Sequence, residues 1–470
     1  MTAKSPHDAE HAKCSSSSSK SRSFRRVHAP RRTLPYDVLF NIVSFMQWGC
    51  SKSLVNLACT SRKMRDLVIP RFLYSHITPR YKEDLEGLLQ LFRRNSASYS
   101  DSVRSFLINT VVSPSAQRLL IEALPKMRNM REIRLPDASK FTKKQAVAAI
   151  GAMNHLRCLH ILHFTFSTFD RAMENLTELR SLRLEGSRYD SRRLSPRWGG
   201  KAISNSRETL EQLCLGYVSW DLRMGPVGIW PRLHTLDLRD AYVLGMEALD
   251  LSASFPSVRS FGPPFNDARS WAPLPCNLPF LSRLESFQGG FEVLEIARPN
   301  FAALRTLLAQ HWEDQPITRC DHFLPPSLQS LQLELYTEGT IVPQTFGALA
   351  DAAPNLTSLS IYWHVALTHH HAVEIAEALI AFLLRLPLAY VKIECCSVTY
   401  SPQDMEAGPA PYPELHSSWE RIADLALSLN AIKAFDLHIG YYSRRQNVEG
   451  DIEPVDRTHL PVAMHTGYIP

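Results

Sequence analysis

Three kinds of residue in this chain could do chemistry. They are a histidine run, His369-His370-His371; an adjacent pair, Cys395-Cys396; and carboxylates scattered through a leucine-rich body, Asp237, Glu334 and Asp436. Adjacent histidines on a helix point in different directions, whereas metal-binding pairs prefer i, i+4 spacing. The run stands where the helix "HAVEIAEAL" begins, so it reads as a solvated first turn. Neighbouring cysteines cannot easily share a metal or a disulfide. The carboxylates could meet only if a long array curled tightly, so nothing assigns them acid and base roles. The chain has no Gly-rich phosphate loop, no HExxH, no GxSxG and no paired CxxC. No cofactor and no metal are expected, and the chain is not expected to be an enzyme.

The elements that carry these residues follow a repeated phrase: apolar, two residues, apolar, one residue, apolar. Clear copies include Met130-Ile133-Leu135, Leu156-Leu159-Ile161, Leu179-Leu182-Leu184 and Leu233-Leu236-Leu238, and later ones Leu328-Leu331-Leu333 and Ile432-Phe435-Leu437. Weaker copies begin at Val258, Leu284 and Leu304. Successive starts lie 20 to 44 residues apart, mostly near the period of leucine-rich repeats. Each copy predicts one short strand with apolar residues inward and a helix or turn behind it. No single copy closes a core, so the copies must stack. The fold class expected is α/β: a three-helix module followed by an irregular leucine-rich-repeat-like solenoid of parallel strands with helices outside.

In such an array the residues between the apolar positions line a continuous concave wall, the usual binding face. The central positions are Arg134, His160, Arg183, Cys214, Asp237, Gln332, Ser360, Lys392 and Asp436. Arg134, His160, Arg183, Asp237 and Lys392 are the candidate target-binding residues. The first three predict a short cationic ladder suited to an acidic or phosphorylated segment. Glu132 and Glu185 stand beside it and offer internal partners.

Ahead of the repeats lie "LPYDVLFNIVSFM" and "SLVNLACTSRKMRDLVIPRFLYSHI". Pro35 suits a first helical turn, and Asp37 places negative charge at the positive end of the helix dipole. Ser51 or Ser53 can cap a second helix and Ser61 a third, which Pro70 stops. Three helices in so few residues make a small core, so several apolar side chains should remain on the surface unless a partner covers them. The order Leu34-Pro35, Val38-Leu39, Ile42, Phe45, Leu54, Leu57, Leu67 resembles the F-box. That family often has Trp in the last helix, where this chain has Met64. The resemblance implies docking onto the Skp adaptor of cullin–RING ubiquitin ligases through Leu34, Pro35, Val38, Leu39, Ile42, Phe45, Leu54, Leu57 and Met64. Together with the repeats, the chain is similar to F-box proteins with degenerate leucine-rich-like repeats, a large class in filamentous fungi.

The domain reading is a basic, Ser-rich disordered tail at 1–31, the F-box at 32–79, the solenoid at 80–440 and a flexible tail at 441–470. Residues 196–230, 262–280 and 400–415 read as loops between repeats. Residues 1–33 hold eight basic and two acidic residues and so carry the whole net charge of +6, leaving the body balanced. Nucleic acid is therefore an unlikely partner by charge. No secretory signal or membrane span is read. Nine cysteines without paired spacing point to the reducing cytosol or nucleus.

Two functions fit. One is the substrate-recognition subunit of a Skp–cullin–F-box ubiquitin ligase, with the repeats holding an unknown protein target and the adaptor bringing cullin and RING subunits. The other is a non-catalytic repeat scaffold whose F-box-like helices bind the adaptor outside a ligase or merely cap the solenoid. Both need a fold without disulfides. Thermal melts with and without reductant should therefore agree within error; a large drop on reduction would overturn that expectation.

Overall fold

A computed structural model of the chain describes residues 35–447, except 46–50, 70, 80, 95–96, 109–111, 136–143, 165–172, 187–198, 223–227, 265–267, 312–323, 337–342, 400–416, 418–419, 423, 426–427, 430–431 and 440–441. Three helices come first: α1 (Tyr36–Phe45), α2 (Ser51–Thr60) and α3 (Arg62–Val68). The Ser61 hydroxyl accepts the Met64 N–H at 3.1 Å and caps α3. Val43, Leu54, Ala58, Leu67, Val68 and Phe72 make a core of their own, separate from that of the repeats. Phe40 meets Phe72 edge-on at 5.1 Å.

The rest is one sheet of fifteen strands in chain order. The strands are β1 (His76–Ile77), β2 (Ser105–Leu107), β3 (Glu132–Leu135), β4 (Cys158–Phe164) and β5 (Ser181–Gly186). Then come β6 (Gln212–Asp221), β7 (Thr235–Leu244), β8 (Ser260–Gly262), β9 (Ser286–Gly290) and β10 (Thr306–His311). The last are β11 (Ser330–Leu335), β12 (Ser358–Thr368), β13 (Tyr390–Thr399), β14 (Ala434–Ile439) and β15 (Tyr442–Asn447). The first fourteen pair in parallel, and β15 turns back antiparallel on β14. The twelve copies of the apolar phrase are β3 to β14. Along β3, β5 and β11, buried and half-buried residues alternate, as one core-facing and one open face require.

One backbone motif joins every neighbouring pair of parallel strands. The carbonyl of the residue before each strand accepts two N–H groups from the start of the next repeat. Arg104 O takes Arg131 N at 2.7 Å and Glu132 N at 3.0 Å, and Arg131 O takes Arg157 N at 2.7 Å and Cys158 N at 2.9 Å. The pattern runs from Ser75 to Lys433 and Ala434. Carbonyls have two lone pairs, so a doubled acceptor leaves no N–H wasted at the joint.

The core changes character midway. At β8 and β9 leucines give way to Phe261, Trp271, Phe280 and Phe287, with Phe261 at 5.1–6.2 Å from the other three rings. Behind the sheet stand these bulky rings; in front, Gly262 and Gly290 bring no side chain. The space left in front at Gly262 is taken by the Asp237 and Arg239 side chains.

Three expectations need correction. Residues 196–230 are not only loop: they hold the helix Gly199–Asn205 and the strand β6, where the copy Leu210-Leu213-Leu215 of the apolar phrase puts its inward leucines. The segment "FLYSHITP" (Phe72 to Pro79) reads in sequence as a first edge strand, but the strand shrinks to His76–Ile77, because Phe72 belongs to the helical cluster. Tyr442–Asn447, expected within a structureless tail, forms β15. The tail at 1–31, the loop at 400–415 and the segment after 447 lie outside the described residues. No helix of the described residues is long and apolar enough to cross a membrane.

Buried Asn277 tests how tightly the turns are tied. Its Oδ1 accepts the Leu251 N–H at 2.8 Å and its Nδ2 donates to the Trp271 carbonyl at 2.9 Å. Asn277→Ala leaves the Leu251 N–H buried without a partner and takes one of the two donors from the Trp271 carbonyl, which keeps the Leu274 N–H at 3.3 Å; urea unfolding should show a loss of about 1–3 kcal/mol. An unchanged midpoint would mean the turn re-forms without the side chain.

Candidate functional site

Two surfaces need placing: the N-terminal helices and the open face of the sheet. On α1, Val38 and Ile42 are four residues apart and point outward, 38% and 45% exposed, and Val55 on α2 is 45% exposed. Pro35 is exposed at the start of α1. Leu39, Leu57 and Met64 are half-buried against the helical core. Leu54 is 2% exposed and lies inside that core, so it holds the helices together rather than facing a partner. The reason is local: α2 and α3 pack on each other, with Leu54 and Ala58 in one cluster with Leu67 and Val68. Val55 was missed because apolar residues surround both helices and spacing alone does not say which side faces in. Leu34 lies outside the described residues, as does the side chain of Phe45.

The predicted wall is in register. Arg134, His160, Arg183, Cys214 and Asp237 stand side by side on β3 to β7. Gln332, Ser360, Lys392 and Asp436 do the same on β11 to β14. What the structure changes is their charge. Residues i and i+2 share a strand face, and the wall uses this to neutralise itself. Arg183 Nη2 lies 3.2 Å from Glu185 Oε2, and Lys392 Nζ lies 3.0 Å from Glu394 Oε2. Arg239 donates to both oxygens of Asp237, at 2.9 and 3.0 Å. Lys392 also stands 4.8 Å from the centre of the Tyr362 ring.

His160 is the clearest correction. Burial lowers its pKa, and the flanking Arg134 and Arg183 guanidinium groups lower it further, to about 4. The imidazole is neutral at physiological pH and its Nε2 is 2.9 Å from Ser181 Oγ. Among the described residues, the expected three-step cationic ladder therefore keeps one unpaired charge, on Arg134. Burial, then the nearby Asp237 carboxylate, pushes the Cys214 thiol up to about 12, so it is no nucleophile. Burial raises Asp237, but its contact with Arg239 outweighs this and holds the carboxyl below its ordinary value.

The middle of the open face is closed. A Cβ at Gly262 would lie 2.6 Å from Asp237 Oδ1 and 2.8 Å from Arg239 Cγ, so the ion pair rests on the glycine. Leu308 and Gln288, which face this side, are only 4% and 8% exposed. Glu334 accepts from Gln310 at 2.7 Å, Gln332 at 2.9 Å and Tyr336 at 3.3 Å. Tyr336 stacks on His364 at 4.5 Å. Arg239 on β7 feels Glu334 on β11 electrostatically, although four strand spacings, ~19 Å along a flat sheet, lie between them. Of the three sequence-flagged carboxylates, Asp237 is bound to Arg239 and Glu334 acts on the same guanidinium from further off, an arrangement around one cation rather than an acid–base pair.

Among the described residues, no group of three or more His, Cys, Asp and Glu is placed to hold a metal. Helix His369–Leu383 begins at the histidine run, whose side chains are not described. Cys395 is buried in the main core.

No protein-family model and no curated protein matches the chain. Among solved structures it is similar to the complex of Rad7 and Elc1 in yeast, at 13% identity and a TM-score of 0.33, over 81% of this chain and 96% of that one. A superposition that loose carries neither a function nor a partner across.

His160 also sets a pH dependence. Its folded pKa lies below the ordinary histidine value, so on acidification the unfolded chain takes a proton that the folded one refuses. Stability is full above about pH 6.5 and falls as pH drops toward 4, by on the order of 1–3 kcal/mol from this group. His160→Gln should flatten urea-derived stability across that window; an unchanged slope would place the effect elsewhere.

Proposed function

We propose that this chain is the substrate-recognition subunit of a Skp–cullin–F-box ubiquitin ligase. The observation that supports it is the separate three-helix unit. It closes a core of six residues yet leaves Val38, Ile42 and Val55 open on adjoining helices. Apolar side chains exposed together on so small a unit are what an adaptor would cover. The spacing that resembles the F-box supplies Val38 and Ile42, with Pro35 at the helix start and Leu39 beside them; Val55 is added by the structure.

The repeat array then holds a protein target. The chain makes and breaks no bonds; it raises the effective concentration of a target lysine near an activated ubiquitin thioester that other subunits supply. The concave residues Arg134, Asp237 and Lys392 recognise shape and hydrogen-bonding pattern more than net charge, since Asp237 and Lys392 are paired at home. Cullin and RING subunits join through the adaptor, and the compartment is cytosol or nucleus.

Co-purification tests this. The tagged chain should bring down a Skp-type adaptor and a cullin together. Val38→Asp with Ile42→Asp should weaken adaptor capture by about 2 kcal/mol or more, while the melt changes little, because both sites are exposed. Capture undiminished in the double variant would remove the docking assignment. Adaptor without cullin would favour the stand-alone scaffold.

A further inference from the structure

The doubled-carbonyl joints place one residue of every repeat at the same edge of the sheet, just ahead of its strand. Read along the edge, the first arginines are Arg104, Arg131, Arg157 and Arg180, on four successive repeats. Beyond them the row breaks up into Glu211, His234, Arg259, Glu285 and Arg305. Adjacent strands stand about 4.8 Å apart, so four guanidinium groups form a short stair along β2 to β5.

The stair is where this part of the molecule keeps unspent positive charge. Arg104 and Arg131 are exposed and meet no acidic side chain among the described residues. Lys126 and Arg128, in the turn leading to Arg131, are likewise exposed and unpaired. Arg157 is held by Glu178 at 2.7 Å, and Arg180 stands a looser 3.8 Å from Glu211 with 61% of its side chain open. The nearest carboxylate in sequence, Glu132, turns to the open face and accepts from Ser105 at 2.8 Å. The wall beside the stair pairs Arg183 with Glu185 and keeps His160 neutral, leaving Arg134 as the unpaired cation there among the described residues; the edge adds a row of such charges.

We propose that the Arg104–Arg131–Arg157–Arg180 edge binds an acidic segment of a protein partner. Guanidinium groups take carboxylates in pairs of parallel hydrogen bonds, and a row of them fits a run of Asp or Glu. The choice of an acidic peptide over a nucleic acid rests on the charge budget. Residues 34–470 are balanced between the two signs, so there is no broad field to attract a long polyanion, only a local row. The inference goes beyond the ligase reading and stands whether or not the helices dock an adaptor.

The test uses the purified full chain and a short fluorescein-labelled polyglutamate peptide, followed by anisotropy. Binding should weaken as salt rises, because the stair is exposed and screened. Arg104→Glu with Arg131→Glu should weaken it by about tenfold or more. Arg305→Glu with Lys433→Glu makes the same charge change at the same register positions, where the neighbours are not arginine; it should leave binding within about twofold. Melts and adaptor capture by both variants should match the parent, which separates this result from the fate of the ligase reading. No binding of the peptide by the parent, an equal loss in both double variants, or equal or tighter binding of single-stranded oligothymidylate would each overturn the proposal.

Discussion

Everything in this molecule hangs on the joint between repeats. A single repeat offers one short strand and a few leucines, too little to close a core. Stacking cures that only if each strand falls into register with the last, since a slip of one residue would turn its leucines to solvent. The doubled carbonyl acceptor before each strand enforces that register. It ties the first two N–H groups of the next repeat to one oxygen, so the side-chain alternation begins at the same point every time. The consensus asparagine of regular leucine-rich repeats is absent from nearly all copies, and backbone geometry does that work here.

The same joint separates two kinds of surface. One and three residues downstream, side chains face the open side of the sheet, so opposite charges at i and i+2 find each other within one strand. At the joint itself there is no i−2 strand partner, and an arginine there reaches into solvent. A neutral wall and a charged rim thus follow from one register. The middle strands sharpen the contrast, because Asp237 and Arg239 close over Gly262 and Gln288 and Leu308 are buried beside them, leaving little of the central face open.

Much of the architecture was legible before any coordinates. The apolar phrase located β3 to β14 one for one, and alternation correctly put Arg134, His160, Arg183, Cys214 and Asp237 in one row. Protonation was not legible, because the state of His160 depends on two arginines that only the fold sets beside it. Nor was the inside of the F-box-like unit: α1 carries Val38, Leu39, Phe40, Ile42 and Val43, and a helix apolar on most sides does not announce its inner face. The arginine stair did have a signal, the residue following the first apolar of each phrase, as in "MREIRL", "LRCLHI" and "LRSLRL". Apolar alternation does not single this position out, because it lies one residue ahead of the strand. Strand β15 had none, since "YSRRQN" shows no apolar alternation and pairs only because β14 offers an open edge.

That last strand has a consequence for solubility. A parallel array has no natural end; β14 would present bare N–H and C=O groups that any extended chain could extend, and an endless ribbon of copies is the hazard. The chain reverses direction and lays Tyr442–Asn447 across that edge, in antiparallel register from Ala434 opposite Asn447 to Ile439 opposite Tyr442. The covering segment's sequence, "YSRRQN", is polar and basic, a composition that edge strands use against further pairing. At the other end, β1 is only two residues long. Growth by edge-to-edge addition is thus blocked at one end by charge and at the other by brevity, which lets a sheet of fifteen strands remain a finite particle.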